Sequence, residues 1–238
     1  MNRATAIARR EFLSYFRSPI AYVATALFLL ISGLMFYGDF VPGQPAAMRT
    51  ILNWMVWLLV FILPVLSMGL LSQEWASGTI ETLMTAPVNE PEVVLGKFFG
   101  NLLLLVVMLV PTLLYVVLLV LYAHPDFGPI FSGYLGIVLV GALFISVGLF
   151  CSSLTRSQMI AAISAVTILF LITIVPYWAA LQPGLRPALR TIVDQTVYRR
   201  YSDFSKGVID LGNIVFFVAT TAVFLFVTVK VLESRRWK

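Results

Sequence analysis

The residues that could carry enzyme chemistry are few in this 238-residue chain. There is one histidine, His124, and one cysteine, Cys151, and neither belongs to a nucleophile motif or a metal-ligand motif. The one Gly-Lys pair, Gly96-Lys97, lacks the upstream glycine and the following Ser or Thr of a phosphate-binding loop. We therefore predict no catalytic residue, no metal site and no cofactor bound by this chain, and we interpret His124 as a turn residue and Cys151 as a packed residue.

The most distinctive polar segment covers residues 73–97 and reads QEWASGTIETLMTAPVNEPEVVLGK. Its carboxylates, Glu74 and Glu81, could be recognised by a basic groove on a partner protein. Gly78 lacks a Cβ and could permit a sharp bend between them. We predict a short helix over 80–86 with Ser77 or Thr79 as its cap, and a second helix that starts with the capping-box pair Asn89 and Glu92. A plain solvated loop is the alternative.

Long apolar segments must position this loop. Hydrophobic residues make up 60% of the chain and charged residues 11%, and the mean hydropathy is +0.96, which a soluble domain of this size does not reach. Six charge-free gaps are near or above the roughly 20 residues that cross a bilayer as a helix. The sequence thus predicts an all-α integral membrane protein, a single transmembrane domain over 1–238, with spans at about 20–38, 52–72, 98–122, 132–152, 158–179 and 212–230.

The N-terminal segment predicts an amphipathic helix over 3–17 that lies on the membrane surface, because apolar residues recur at helical spacing and arginines occupy another face. A basic tail that merely orients the first span is the alternative. Ser18 and Pro19 then predict the start of a new helix. We interpret the apolar run 20–37 as a retained first span, since it exceeds a signal-peptide core and lacks a convincing cleavage site.

The distribution of Lys and Arg predicts the orientation. With six spans both termini lie on one side, which carries ten of these residues against six on the other, so both termini are expected in the cytoplasm. The net charge of +5 is explained by this topology rather than by nucleic-acid binding. The charge-free gaps that define the predicted spans contain no Asp, Glu, Lys, Arg or His, so any transport is expected to draw its free energy from outside the bilayer.

Two further features concern helix irregularities and the far-side loop. Pro64, Pro111 and Pro176 are expected to kink three spans.

In the loop 180–211, apolar and charged residues alternate at helical spacing, which predicts amphipathic helices at the outer leaflet or, alternatively, an ordered lid. The apolar trend includes aromatics suited to the lipid headgroup region; its members are Leu181, Leu185, Leu189, Ile192, Val193, Val197, Tyr198, Tyr201 and Phe204.

Several stretches resemble the ABC exporter permeases of the second type (ABC-2), and within them the compact gliding-motility branch. These are REFLSYFRSPIAY at 10–22, QEWASGTIETLMTAPVNEPEVVLGK at 73–97, GLFCSSLTRSQ at 148–158, and YSDFSKGVIDLGN with VLESRRW at 201–213 and 231–237. The most specific is the pattern E-x-x-x-G-T-x-E, formed by Glu74, Gly78, Thr79 and Glu81.

The resemblance implies a half-transporter in the bacterial inner membrane that pairs with a second copy of itself or a homologous permease. Cytoplasmic ABC ATPase subunits would bind ATP and Mg. The loop between the second and third spans would be the coupling element, with Glu74, Ser77, Gly78, Thr79 and Glu81. The N-terminal helix would form the ATPase interface, with Arg9, Arg10, Glu11, Phe12 and Arg17. The loop before the last span would supply re-entrant helices, and the branch is associated with an extracytoplasmic auxiliary membrane subunit.

The favoured hypothesis is therefore an ATP-driven exporter in which this chain forms half of the pathway. A non-transporting membrane component that transmits ATPase strokes to an extracytoplasmic partner is the first alternative, and an ATP-independent channel or carrier is the second. The scattered Ser, Thr and Asn of the spans slightly favour a lipid-like cargo, but interhelical hydrogen bonding explains them equally well.

Overall fold

The chain folds into helices in every range that the computed structural model describes, namely 3–39, 48–79, 89–122, 125–180 and 196–236, and no strand occurs in these ranges. A 3-10 turn, Val110–Thr112, separates the fifth and sixth helices. The helices are α1 (Arg3–Tyr15), α2 (Pro19–Asp39), α3 (Arg49–Ser67), α4 (Gly69–Ser77), α5 (Glu90–Leu109), α6 (Leu113–Tyr122), α7 (Phe127–Leu154), α8 (Gln158–Ala180), α9 (Val197–Phe204) and α10 (Leu211–Arg236).

Six helical segments of the described ranges are long and apolar enough to cross a bilayer, which confirms the predicted number of spans. They are α2, α3 with α4, α5 with α6, α7, α8 and α10. Four of them extend five or more residues beyond a predicted end: the second reaches Ser77 rather than 72, the third begins at Glu90 rather than 98, the fourth begins at Phe127 rather than 132, and the sixth reaches Arg235 rather than 230. Polar sequence continues these helices past their apolar windows, so Lys97 lies within α5, whose start at Glu90 agrees with the predicted capping-box pair Asn89 and Glu92.

Helix α7 forms the centre of the bundle. In its most apolar window 72% of the residues are buried, and the corresponding share is 67% for α3 with α4, against 17–33% for the other four spans. A Cβ added to Gly148 of α7 would collide with the side chain of Ser67, and one added to Gly141 would collide with Leu105. The glycines of α7 therefore allow α3 and α5 to approach its backbone closely, as small residues do in membrane bundles.

The second span is interrupted where α7 touches it. One turn after Gly148, the Ser152 hydroxyl accepts hydrogen bonds from the backbone amides of Leu71 and Ser72, both at 3.0 Å, and donates to the Met68 carbonyl at 2.7 Å. A side chain inserted in this way replaces the helix's own bonds and separates α3 from α4. Pro64 lies inside the continuous α3, and the interruption between α3 and α4 falls one turn later, at Met68, so the kink expected at Pro64 stays a prediction.

The other two prolines behave differently from each other. Pro111 stands in the 3-10 turn between α5 and α6, as expected of a residue without a backbone donor. The Thr112 hydroxyl donates to the Leu109 carbonyl at 2.6 Å and contacts the Tyr134 hydroxyl at 2.9 Å. Pro176, by contrast, lies within a continuous α8.

Helix α9 packs against the start of α7. The Ser132 hydroxyl donates to the Phe204 carbonyl at 2.7 Å, and a Cβ on Gly136 would meet the rings of Phe204 and Tyr201. Tyr201 and Phe204 are fully buried in protein, so their predicted location among lipid headgroups is wrong. The predictions for 80–88, for His124 and for the stripe over 181–195 lie outside the described residues.

Candidate functional site

The N-terminal helix α1 lies directly on the backbone of α5. A Cβ added to Gly96 would come within 2.7 Å of Ile7 Cβ, and one added to Gly100 within 2.8 Å of Glu11 Cβ and 3.0 Å of the Ala8 carbonyl. Gly96 and Gly100 are four residues apart and therefore face the same side of α5. They form a groove that only a glycine pair leaves open, and α1 fills it.

Between these two glycines stands the centre of the site, the buried Lys97. Its Nζ lies 2.8 Å from Oε1 of Glu11 on α1 and 2.7 Å from Oε1 of Glu74 on α4. Arg10 Nη2 lies 3.6 Å and 3.7 Å from the same two oxygens. Two cations and two carboxylates thus meet where three helices converge, and we call these four residues the ion cluster.

The ion cluster is mostly closed to water. The Lys97 side chain is 2% exposed, the Glu11 and Glu74 side chains are 13% and 17% exposed, and only Arg10, at 62%, reaches the surface. Charges in such a place are tolerated because each has an opposite charge in contact, and loss of one partner leaves the other uncompensated. Oε2 of Glu74 is buried and has no hydrogen-bond partner among the described residues.

Tyr15 adds a neutral link between α1 and the second span. Its hydroxyl donates to the Leu66 carbonyl near the end of α3, at 3.1 Å. Burial, and then the negative charge of Glu11, raises the pKa of the Tyr15 phenol well above its usual range. The phenol therefore stays protonated and remains a hydrogen-bond donor.

Helix α4 is held from the other side by the last span. The Arg235 guanidinium lies 5.0 Å from the ring centre of Trp75 and donates at 2.6 Å to the carbonyl of Leu154, the last residue of α7. A cation at the C-terminus of a helix also interacts favourably with the helix dipole. Together with the Ser152 hydroxyl, these contacts fix α4, and with it Glu74, between α5, α7 and α10.

The residues predicted as the coupling element lie in different surroundings. Glu74 belongs to the ion cluster, with one carboxylate oxygen paired inside the protein. Ser77 donates to the Gln73 carbonyl at 2.8 Å, and its hydroxyl lies 2.8 Å from that of Thr79, in an exposed stretch. Gly78 ends α4 with φ of 72°, the left-handed conformation that glycine adopts at helix ends, and the short helix beyond the predicted bend lies outside the described residues. Glu81 lies outside the described residues.

The residues predicted as the ATPase interface also differ in their surroundings. Arg9 and Arg17 are exposed. Phe12 is partly buried, and its ring meets that of the exposed Phe16 edge to face, with centroids 5.1 Å apart. Arg10 and Glu11 instead belong to the ion cluster, and Glu11 lies on the packed face of α1 rather than on its exposed face.

Sequence reasoning missed Lys97 and the two glycines beside it. The segment GKFFG could have indicated this site. Two glycines four residues apart form a groove on a helix, and a lysine next to the first glycine places one charge at the edge of that groove. Because Lys97 is charged, the predicted third span began after it. The carboxylates of Glu11 on α1 and Glu74 on α4 pack against this lysine and make its charge compatible with the helix. In the described ranges no group of three or more His, Cys, Asp or Glu side chains could hold a metal ion.

Comparison with known proteins assigns this chain to a family. The model for the ABC-2 family transporter protein matches residues 5–235, which is nearly the whole chain. A search of curated proteins finds no match. Such permeases are membrane components of ABC transporters, generally without catalytic activity of their own, and they generally work with a cytoplasmic ABC ATPase. With six candidate spans and a family match from the first helix to the last, the chain belongs to the ABC-2 transporter family.

Proposed function

We propose that this chain is the membrane half of an ATP-driven exporter of the bacterial inner membrane, with both termini in the cytoplasm and a separate ABC ATPase below it. A second copy or a homologous permease completes the pathway, and an extracytoplasmic auxiliary subunit of the kind found with the gliding-motility branch accompanies it. Family membership supports the permease role. The observation that carries the coupling role is the ion cluster, because it joins α1 and Glu74 of the segment 73–97, both predicted to belong to the ATPase-contacting surface, to the third span.

Mechanical transmission follows from the contacts of α4. This helix leads into the turn at Gly78, and Glu74 stands one turn before it. A force applied beyond Gly78 reaches α5 through the 2.7 Å contact of Glu74 with Lys97, and α1 through Glu11 on the same ammonium group. Helices α1, α4 and α5 would therefore move as one body when the ATPase changes shape.

The coupling experiment compares ATP hydrolysis by the ATPase subunit alone and in complex with the permease in lipid nanodiscs. Val disfavours the φ of 72° at Gly78, and no atom of the described residues lies within 4 Å of the added Cβ, so strain is confined to the turn. We expect Gly78→Val, and likewise Glu81→Lys, to insert normally and to lose the complex-dependent change in hydrolysis.

A matched control is Gly38→Val, which places the same side chain in equally open space on α2. It should behave as wild type. Wild-type coupling in both Gly78→Val and Glu81→Lys would reject the segment after α4 as the coupling element.

Partner contact through α1 is tested at Arg9. Arg9 is exposed, whereas reversal of Arg10 would place a carboxylate beside Glu11 and Glu74 and disturb the ion cluster itself. Arg9→Glu should weaken copurification of the ATPase without loss of membrane insertion, and Arg199→Glu on α9, at the other end of the bundle, should not. Equal copurification in both variants would assign this face of α1 to the lipid surface.

A further inference from the structure

A second candidate site lies at the end of the bundle opposite the ion cluster. The first turns of α3, the end of α8 and the start of α9 surround an open cavity of about 690 Å³. This volume falls within the range of roughly 300–1,000 Å³ that is typical of small-molecule sites. The described residues that line it are five aromatic side chains, one arginine and two uncharged polar residues, with no carboxylate among them.

The aromatic side chains contribute to the cavity in two ways. The rings of Trp57, Tyr177 and Tyr198 contact one another, with centres 4.6 to 5.2 Å apart, and so form a closed apolar wall. Trp54 and Trp178 instead remain 46% and 60% exposed, so their rings are available to a ligand. Both lie near the ends of their spans, at the depth where tryptophan meets the boundary between acyl chains and headgroups. The cavity therefore suits a ligand with an apolar part.

The charge at the cavity comes from Arg49, the first residue of α3. Arg49 is exposed, and no carboxylate of the described residues pairs with it. Burial is the main cause that raises the pKa of the Tyr198 phenol, and the positive charge of Arg49 acts in the opposite direction. The guanidinium thus lies close enough to the aromatic wall to act on a group in the cavity. The start of α3 adds the positive end of the helix dipole at the same place.

The other charges beside Arg49 already have partners. Arg49 also lines a smaller cavity of about 260 Å³, together with Lys206 and Asp126. Lys206 Nζ lies 3.8 Å from Oδ1 of Asp203, and the Asp126 carboxylate caps α7 by accepting from the Gly128 amide at 3.0 Å. Arg49 therefore carries the uncompensated positive charge of the larger cavity.

We propose that this larger cavity binds the headgroup of an anionic phospholipid such as phosphatidylglycerol. The guanidinium of Arg49 would hold the phosphate, which arginine binds with paired hydrogen bonds, while the upper acyl carbons would pack on the exposed rings of Trp54 and Trp178. A zwitterionic headgroup is disfavoured, because the lining offers its ammonium group an arginine and no carboxylate. The position of the cavity at the ends of two spans favours a lipid over a free solute. Under the proposed topology the lipid belongs to the extracytoplasmic leaflet, but the binding chemistry does not depend on that orientation.

The experiment is native mass spectrometry of the purified full-length protein with equimolar phosphatidylglycerol, phosphatidylethanolamine and phosphatidylcholine of identical acyl chains. One basic residue near the membrane surface favours an anionic lipid by about fivefold, so we expect the wild type to retain phosphatidylglycerol by that factor over each of the other two. Arg49→Gln should abolish the preference, and Arg49→Lys, which keeps the charge, should retain it.

Thermal unfolding separates a lost ligand from a damaged fold. Since Arg49 has no ion pair with the described residues, Arg49→Gln without added lipid should unfold at the wild-type temperature. Added phosphatidylglycerol should raise the unfolding temperature of the wild type but not that of Arg49→Gln, because a ligand stabilises only the protein that binds it.

Two controls separate the cavity from general surface effects. Lys206→Gln removes a cation from the same end of the bundle but outside the larger cavity, and it should leave the preference intact. Trp54→Ala removes an exposed ring of the cavity and should weaken retention of all three lipids severalfold, whereas Phe131→Ala removes an exposed ring of α7 outside the cavity and should not. Equal losses in these two variants would indicate an ordinary belt of interfacial aromatics and reject the cavity.

Added sn-glycerol 3-phosphate tests the source of the phosphate. We expect weak competition, because the free ester lacks the acyl chains that pack on the tryptophans. Competition at the affinity of the lipid would assign the site to a free phosphate ester and reject the lipid. Equal retention of the three lipids, an unchanged preference in Arg49→Gln, or loss of the preference in Lys206→Gln would overturn the proposal.

Discussion

The ammonium group of Lys97 and the carboxylate of Glu74 lie 2.7 Å apart and join the third span to the end of the second. Because the same ammonium also contacts Glu11, at 2.8 Å, one buried cation organises three helices. A surface ion pair contributes little to stability, whereas a buried cation that loses its partners, or carboxylates that lose their cation, is strongly unfavourable.

Lys97→Met should therefore destabilise the protein by about 3–5 kcal/mol, because Glu11 and Glu74 would remain buried without their main counter-charge. Thermal unfolding of the purified protein in detergent measures the effect. The matched control is Lys230→Met, which removes a pair of the same 2.7 Å length, Lys230 with Glu233, from an exposed position. It should change stability by about 1 kcal/mol or less. Similar losses in both variants would mean that burial of the ion cluster is unimportant.

Ser152→Ala should loosen the junction between α3 and α4. The substitution removes the acceptor for two backbone amides, Leu71 and Ser72, and a donor to the Met68 carbonyl, so we expect a loss of about 1–3 kcal/mol. Hydrogen exchange at these two amides should become faster. Ser153→Ala is the control, since within the described part of the chain its hydroxyl bonds only to the Phe150 carbonyl of its own helix. Unchanged exchange at Leu71 and Ser72 would show that α4 does not need the inserted hydroxyl.

Gly100→Leu should lift α1 from its groove on α5. The added side chain would collide with Glu11 Cβ and the Ala8 carbonyl, and overpacking of this kind costs about 1–3 kcal/mol. A cysteine at the buried position of Ala8, in a Cys151→Ala background, should resist a thiol reagent in the otherwise wild-type protein and react in the Gly100→Leu variant. If the cysteine stays protected in both, α1 is held by contacts other than the glycine groove.

The proposed orientation is tested with single cysteines in the same background. Positions 2, 89 and 238 should be shielded from an impermeant thiol reagent added to intact cells, and position 184 should react, because the excess of Lys and Arg favours cytoplasmic termini. All four positions should react in permeabilised cells, which controls for buried sites, whereas in inverted vesicles positions 2, 89 and 238 should react and position 184 should be shielded. Labelling of position 89 from outside would reverse the topology and remove α4 from the reach of a cytoplasmic ATPase.

Much of the fold follows from local sequence. Six charge-free gaps predict six spans, since an apolar helix of about 20 residues crosses a bilayer with all its backbone groups satisfied. Gly78 predicts a helix end because only glycine adopts its φ of 72° easily. The pair Asn89 and Glu92 predicts the start of α5, where the Asn89 amide donates to Glu92 Oε2 at 3.0 Å. Each of these signals acts between residues close in the chain.

The site required contacts between residues far apart. Lys97 belongs to a spanning helix only because Glu11 and Glu74, 86 and 23 residues away in the chain, meet its ammonium group, and no local pattern encodes that meeting. At the break at Met68 the second span is held by the hydroxyl of Ser152, 84 residues later in the chain. Sequence by itself determined which segments are helical and apolar. The tertiary structure decided which charges are paired and where a helix is interrupted, because both depend on the side chains that other helices pack against that helix.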